Sequence, residues 1–211
     1  MKKTTISILI TAGVLVLAGC SLFGSKVPQV FIDKHNETVA LGKEAQQLSD
    51  LTTMPEWSAL DKQMSDGNYT DALKTVEIAL NRKKDASSKL DSTDKKLTEL
   101  KLILGEITDS KIKAGAENFI GISEKENSAK ISYNNLQIQL VEKMKTMISI
   151  LEKNPKTISA ADEKTVNDLI KQIDALKSQI TEAEKEMNTV QNQYKETEKE
   201  FFGLAGLEIA K

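Results

Sequence analysis

The 211-residue chain has one cysteine, Cys20, one histidine, His35, and one arginine, Arg82. A single cysteine excludes an internal disulfide, so the fold has no covalent bridge. One histidine and one cysteine cannot supply the converging nitrogen and sulfur ligands of a transition-metal centre. No Gly-rich phosphate loop, nucleophile elbow or Cys/His cluster is present, so no catalytic chemistry is written in the chain. Prolines number three and aromatic residues make up 4 %. Val and Ile fall mostly at helical spacing and do not alternate with polar residues, which argues against strands. Positive charge is also short: 29 Lys and Arg stand against 31 Asp and Glu, net −2. Without a basic stripe to compensate phosphates, nucleic acid is not an expected partner. Neither a cofactor nor a metal is expected.

What the chain does have begins at residue 2. Lys2 and Lys3 precede an apolar run from Ile6 to Leu17, followed by Leu17-Ala18-Gly19-Cys20. A charged start, a short apolar core and small residues before a cut site have the form of a secretory signal. The run is about a dozen residues, whereas a spanning helix needs roughly 20. Leu17-Ala18-Gly19-Cys20 resembles the lipobox of bacterial lipoproteins. The resemblance implies that residues 1–19 are removed and that Cys20 carries covalent lipid on its thiol and new amino end. Two or three acyl chains hold a protein at a membrane stably, where one holds it only marginally. Acylation also removes the liability of an unpaired thiol. The next residue is Ser21 and not Asp, a pattern resembling lipoproteins sorted to the outer membrane of two-membrane bacteria, facing the periplasm. In a one-membrane bacterium the same anchor implies the outer face of the cell membrane. Removing Lys2 and Lys3 leaves 27 basic side chains against 31 acidic ones.

The remainder is rich in Lys, Glu, Ala, Leu and Ile, as in long helices with coiled-coil character. Residues 20–27 read as the lipidated cysteine and a short tether, and 28–211 as one helical domain. The pattern predicts helices over about 28–50, 55–65, 69–104, 109–153 and 159–201. In the first, Val27, Phe31, Lys34, Thr38, Leu41, Ala45 and Leu48 repeat at four-three spacing. In the third, an apolar seam from Tyr69 to Leu104 is interrupted at Lys83 and Thr93. The fourth carries Phe119, Ile122, Glu126, Ala129, Tyr133, Leu136, Leu140, Met147 and Ile150. The fifth is cleanest, from Val166 to Phe201, with Thr197 its one polar position. Asn68 and Ser159 are N-cap candidates, with Asp71 and Asp162 placed to reach back. Gly105 with Thr108-Asp109-Ser110 marks the turn before the fourth helix, and Gly115 is a competing break. The tail 201–211, apolar and interrupted by Gly203 and Gly206, is expected to fold back over one end. Short loops between long helices force antiparallel neighbours. The expected fold is therefore all-α: an elongated antiparallel bundle of three long helices with one or two shorter N-terminal ones.

Four aromatic residues are interaction candidates: Trp57, Tyr69, Phe201 and Phe202. The stretch Gly67-Asn68-Tyr69-Thr70-Asp71-Ala72-Leu73, with Ala79-Leu80 beyond it, resembles the start of the second helix of a tetratricopeptide repeat, and residues 56–84 resemble one such hairpin. A single copy cannot bury the core that stacked repeats share, and Lys84 stands where the repeat's proline would fall. His35 reads as a solvated helix residue, because Asp33 and Glu37 at i±2 face away from it. The carboxylates around Glu182 to Glu200 alternate with lysines and read as a solvated face. The function expected is a structural or protein-interaction lipoprotein without catalysis, bound to a membrane by its lipid and to a protein partner or a second copy. A peptide or small-ligand binder using the Trp57–Tyr69 hairpin is the alternative.

Overall fold

The computed structural model describes residues 26–154 and 157–207. The expected signal segment 1–19, Cys20, the expected tether up to residue 25, Pro155-Lys156 and residues 208–211 lie outside the described residues. The described residues form six α-helices: α1 Gln29–Ser49, α2 Pro55–Ser58, α3 Leu60–Ser65, α4 Tyr69–Ile103, α5 Ser110–Lys153 and α6 Ala160–Ala205. No strand occurs among the described residues. This is the all-α bundle that the periodicity predicts. Among the described residues no helix is long and apolar enough to cross a membrane.

Helix ends follow local chemistry. Asn68 Oδ1 accepts from Asp71 N–H at 3.4 Å, and its Nδ2 donates to Asp71 Oδ2 at 2.7 Å, so α4 begins there. Asp109 Oδ1 accepts from the N–H groups of Lys111 and Ile112 and starts α5. Ser159 Oγ accepts from Asp162 N–H at 3.1 Å and donates to Asp162 Oδ2 at 2.8 Å, which starts α6. Each cap satisfies amide groups that have no partner within the helix.

Neighbouring long helices run antiparallel. Glu37 and Glu44 of α1 meet Lys96 and Lys89 of α4 in reverse order. Along α4 and α5, Lys101 meets Glu124 and Glu77 meets Lys145. Along α5 and α6, Phe119 stacks on Phe201 at one end and Asn154 meets Asp162 at the other. α5, of 44 residues, is the central helix, with α4 and α6 packed along it. At 1.5 Å per residue it is about 65 Å long.

The core has two parts. At one pole, Phe31 of α1, Phe119 of α5 and Phe201 and Phe202 of α6 meet with Leu97 and Leu100 of α4. Their ring centroids lie 5.4–5.5 Å apart for Phe119–Phe201, Phe31–Phe201 and Phe201–Phe202, within the range of favourable aromatic pairs. Toward the other pole, Met54, Leu60, Ala72, Val76, Val141 and Ile148 form a second cluster under α2 and α3.

Three expectations are corrected. The helix predicted over 55–65 is two short helices that part at Ala59. The tail does not fold back at Phe201: α6 continues through Gly203 to Ala205 and stops at Gly206, φ 70°. There the N–H groups of Gly206 and Leu207 both reach the Phe202 carbonyl, a left-handed cap that only glycine adopts cheaply. His35 is not solvated; it is 3 % exposed, with its ring edge-on to Phe119 and Phe202. Gly115 does not break α5. It lets α6 approach, since a Cβ there would lie 3.0 Å from Leu204 Cδ1.

Candidate functional site

Between the aromatic pole and the middle of the bundle, α1 and α6 face each other across a cavity of about 90 Å³ with polar and apolar lining. That is the liquid volume of roughly three waters. Helical spacing builds it. His35, Thr38 and Gly42 share one face of α1, and Tyr194, Lys195 and Glu198 share one face of α6. Thr93 and Leu97 of α4 and Ser123, Glu126, Asn127 and Lys130 of α5 form the floor.

Its hydrogen bonding is incomplete. His35 Nε2 and Asn127 Oδ1 are buried without a hydrogen-bond partner among the described residues. His35 Nε2 lies 3.6 Å from Glu198 Oε1, too far for a hydrogen bond. Tyr194 Oη donates to that same Glu198 oxygen at 2.9 Å. Burial, and then the Glu198 charge, push the Tyr194 hydroxyl well above its ordinary range, so it stays protonated. Glu126 pairs with Lys130 at 2.8 Å. Asn127 Nδ2 donates to the Leu90 carbonyl at 3.1 Å, which ties α5 to α4. None of the cavity's serine and threonine hydroxyls donates to His35. Ser123 donates back to the Phe119 carbonyl, Thr38 to Lys34 and Thr93 to Lys89, each four residues earlier.

A second polar layer lies further along the bundle. Lys83 of α4 is fully buried and donates to the Ser49 carbonyl at the end of α1 and to Gln137 Oε1 of α5. Arg82 beside it donates to the Gln47 carbonyl at 2.7 Å. Consecutive cations of α4 thus satisfy the last carbonyls of α1, where the helix dipole is negative. Asn134 accepts from Ser49 Oγ at 3.0 Å and donates to the Lys83 carbonyl at 3.0 Å and to Ser87 Oγ at 2.9 Å. Burial lowers the Lys83 pKa to about 7 despite the nearby Asp50 carboxylate.

The residues expected to interact lie elsewhere. Trp57 and Tyr69 are half-buried against the second apolar cluster. Phe201 and Phe202, 1 % and 2 % exposed, are core and offer no free ring face. Cys20 lies outside the described residues. None of the four described candidates, Trp57, Tyr69, Phe201 and Phe202, lines the cavity.

Periodicity alone did not flag the cavity as a site, yet a signal was present. Thr38, Thr93 and Glu126 are polar positions within the seams of α1, α4 and α5, and all three line the cavity together with Tyr194 of the α6 seam. Polar interruptions of different seams at one height of a bundle mark a polar layer. No protein family model, no curated protein and no solved structure matches this chain.

Proposed function

We propose that the chain is a lipid-anchored protein of the bacterial cell envelope, held by acylated Cys20, whose helical rod has a structural or protein-interaction role without catalysis. One observation carries the reading. Val27, seven residues after Cys20, is buried in the aromatic pole, where the start of α1 and the end of α6 come together. From Cys20 to Lys26 the extended chain reaches at most about 21 Å. A lipid on Cys20 would therefore hold the aromatic pole close to the membrane. The turn between α5 and α6, about 65 Å away along α5, would face outward.

The long seams are used within the chain. Among the described residues the exposed large apolar ones are Val30, Ile78, Leu102 and Ile170, one each on α1 and α6 and two well separated on α4. They form no heptad stripe, so a partner would meet a mainly polar rod. In a two-membrane host the reading places the protein on the outer membrane facing the periplasm, and otherwise on the outer face of the cell membrane. The alternative, a ligand site at the Trp57–Tyr69 hairpin, has less support, because both rings rest on the second cluster.

The test compares the wild type with Cys20→Ala by membrane fractionation and intact-mass measurement. The expected wild type begins at Cys20, carries added acyl mass and sediments with membranes, and the variant carries none. A wild-type protein found soluble with an unmodified Cys20 would overturn the anchoring and the orientation that follows from it.

A further inference from the structure

Six of the nine buried polar residues described, His35, Thr38, Thr93, Ser123, Glu126 and Asn127, line the cavity between α1 and α6. Their protons are almost all committed elsewhere. The three hydroxyls donate to carbonyls of their own helices, the Asn127 amide donates to Leu90, and the Tyr194 hydroxyl donates to Glu198. The half-buried Gln46, Lys130 and Gln191 add N–H donors to the lining, but the buried wall, apart from one imidazole N–H and the second Asn127 amide N–H, presents lone pairs. It therefore suits a guest rich in N–H donors.

Charge is graded along the same direction. Inside, Glu126 is neutralised by Lys130, while Glu198 receives only the Tyr194 hydroxyl and stands 3.6 Å from His35. Glu198 thus has no lysine or arginine partner among the described residues. Lys43, half-buried, and Lys195, exposed, also line the cavity, and neither forms an ion pair among the described residues. A negative, acceptor-lined interior below two ammonium groups complements a zwitterion that enters ammonium first.

We propose that this cavity binds a small α-amino acid, with its ammonium group among Asn127 Oδ1, Glu198 and the Ser123 and Thr93 oxygens, and its carboxylate at Lys43 and Lys195. The volume of about 90 Å³ is well below the roughly 150 Å³ that holds a benzene ring, which limits the buried end to a few heavy atoms. Glycine and alanine are the members that fit. A buried acceptor left unpaired, as Asn127 Oδ1 is, costs free energy, and a bound ammonium group would satisfy it. The proposal goes beyond the envelope role and does not rest on Cys20.

The test titrates the full-length protein in detergent with glycine, L-alanine, methylammonium, acetate and N,N,N-trimethylglycine by calorimetry. Glycine or alanine is expected to bind saturably at one site per chain. Methylammonium should bind more weakly. Acetate, and trimethylglycine with no N–H to donate, should not bind. Asn127→Leu should abolish binding, with helicity checked by circular dichroism. Lys195→Gln, on an exposed side chain that leaves the fold intact, should weaken glycine roughly tenfold and leave methylammonium unchanged. No saturable heat from either amino acid would overturn the proposal and leave the cavity to water. Trimethylglycine binding as tightly as glycine would overturn it too, as would a Lys195→Gln variant that binds glycine like the wild type.

Discussion

Lys83 gives the fold a pH dependence that a single substitution should erase. Its side chain is 0 % exposed, and burial lowers its pKa from 10.5 to about 7. A cation whose pKa falls on folding releases its proton more readily in the native state. Between the two values the unfolded chain holds more protons, so stability rises with pH. The destabilisation is fully present below about pH 7 and fades as the pH approaches 10.5. The slope approaches 1.4 kcal/mol per pH unit, and integration from pH 7 to 9 amounts to about 2 kcal/mol. Asp50 and Arg82 are the charged groups that also bear on Lys83, and they act in opposite directions. Tyr133, whose pKa burial raises to about 12, titrates above this window.

The perturbation is Lys83→Met, which keeps an unbranched side chain of similar length. It leaves the Ser49 carbonyl and Gln137 Oε1 without this donor, at a cost of about 1–3 kcal/mol each. Removal of a buried charge offsets that cost, so the stability at pH 7 should change little. The slope is the clean readout. Urea unfolding followed by circular dichroism should show the wild-type midpoint rising from pH 7 to 9 at constant m-value and the variant flat. An equal rise in both proteins, or no rise in the wild type, would refute the assignment of the slope to Lys83.

Two further perturbations address the aromatic pole and the alkaline limb. Phe201→Ala removes a ring that touches Phe31, Phe119 and Phe202 and should cost about 3–5 kcal/mol in urea unfolding, whereas a change under 1 kcal/mol would mean that the pole is not core. Tyr133 and Tyr194 both have raised pKa values, so the stability they contribute is present below about pH 10 and is lost above it. Tyrosinate absorbance and helicity recorded together should show these two ionising only as the helices melt, and ionisation of all three tyrosines with helicity intact would contradict their burial.

Much of the architecture is legible in the periodicity, and its gaps have identifiable causes. The α4 seam from Ala72 to Leu100 is buried at every predicted position, including Lys83 and Thr93. The seam of α6 is also clear, because every predicted position from Val166 to Phe201 except Thr197 is apolar, and Leu169, Ile173, Leu176, Met187 and Phe201 are buried. α5 is different, since it serves two partners. Its predicted seam faces α6, while a second one, Ile120, Asn127, Asn134, Val141 and Ile148 at seven-residue spacing, packs on α4. Two asparagines hide that repeat from any count of apolar residues, though each donates to an α4 carbonyl. His35 escaped for the opposite reason. Its neighbours along α1 face away from it, whereas its surroundings come from Phe119 of α5 and Phe202 and Glu198 of α6. Gly203 read as a break, but Phe201, Phe202 and Ala205 are all buried when the helix continues, and that burial outweighs roughly 1 kcal/mol of glycine cost. The cavity needed the register between helices, which no single helix records.

The central claim is that the chain folds into one antiparallel bundle with the start of α1 and the end of α6 at the same pole. Double electron–electron resonance between spin labels at Gln29 and Gly203, and between Gln29 and Lys164, tests it directly. Along α6, Gly203 and Lys164 are separated by about 58 Å at 1.5 Å per residue. The fold predicts a short distance for the first pair and a separation approaching the length of α6 for the second. A long Gln29–Gly203 distance, or a short Gln29–Lys164 distance, would contradict it.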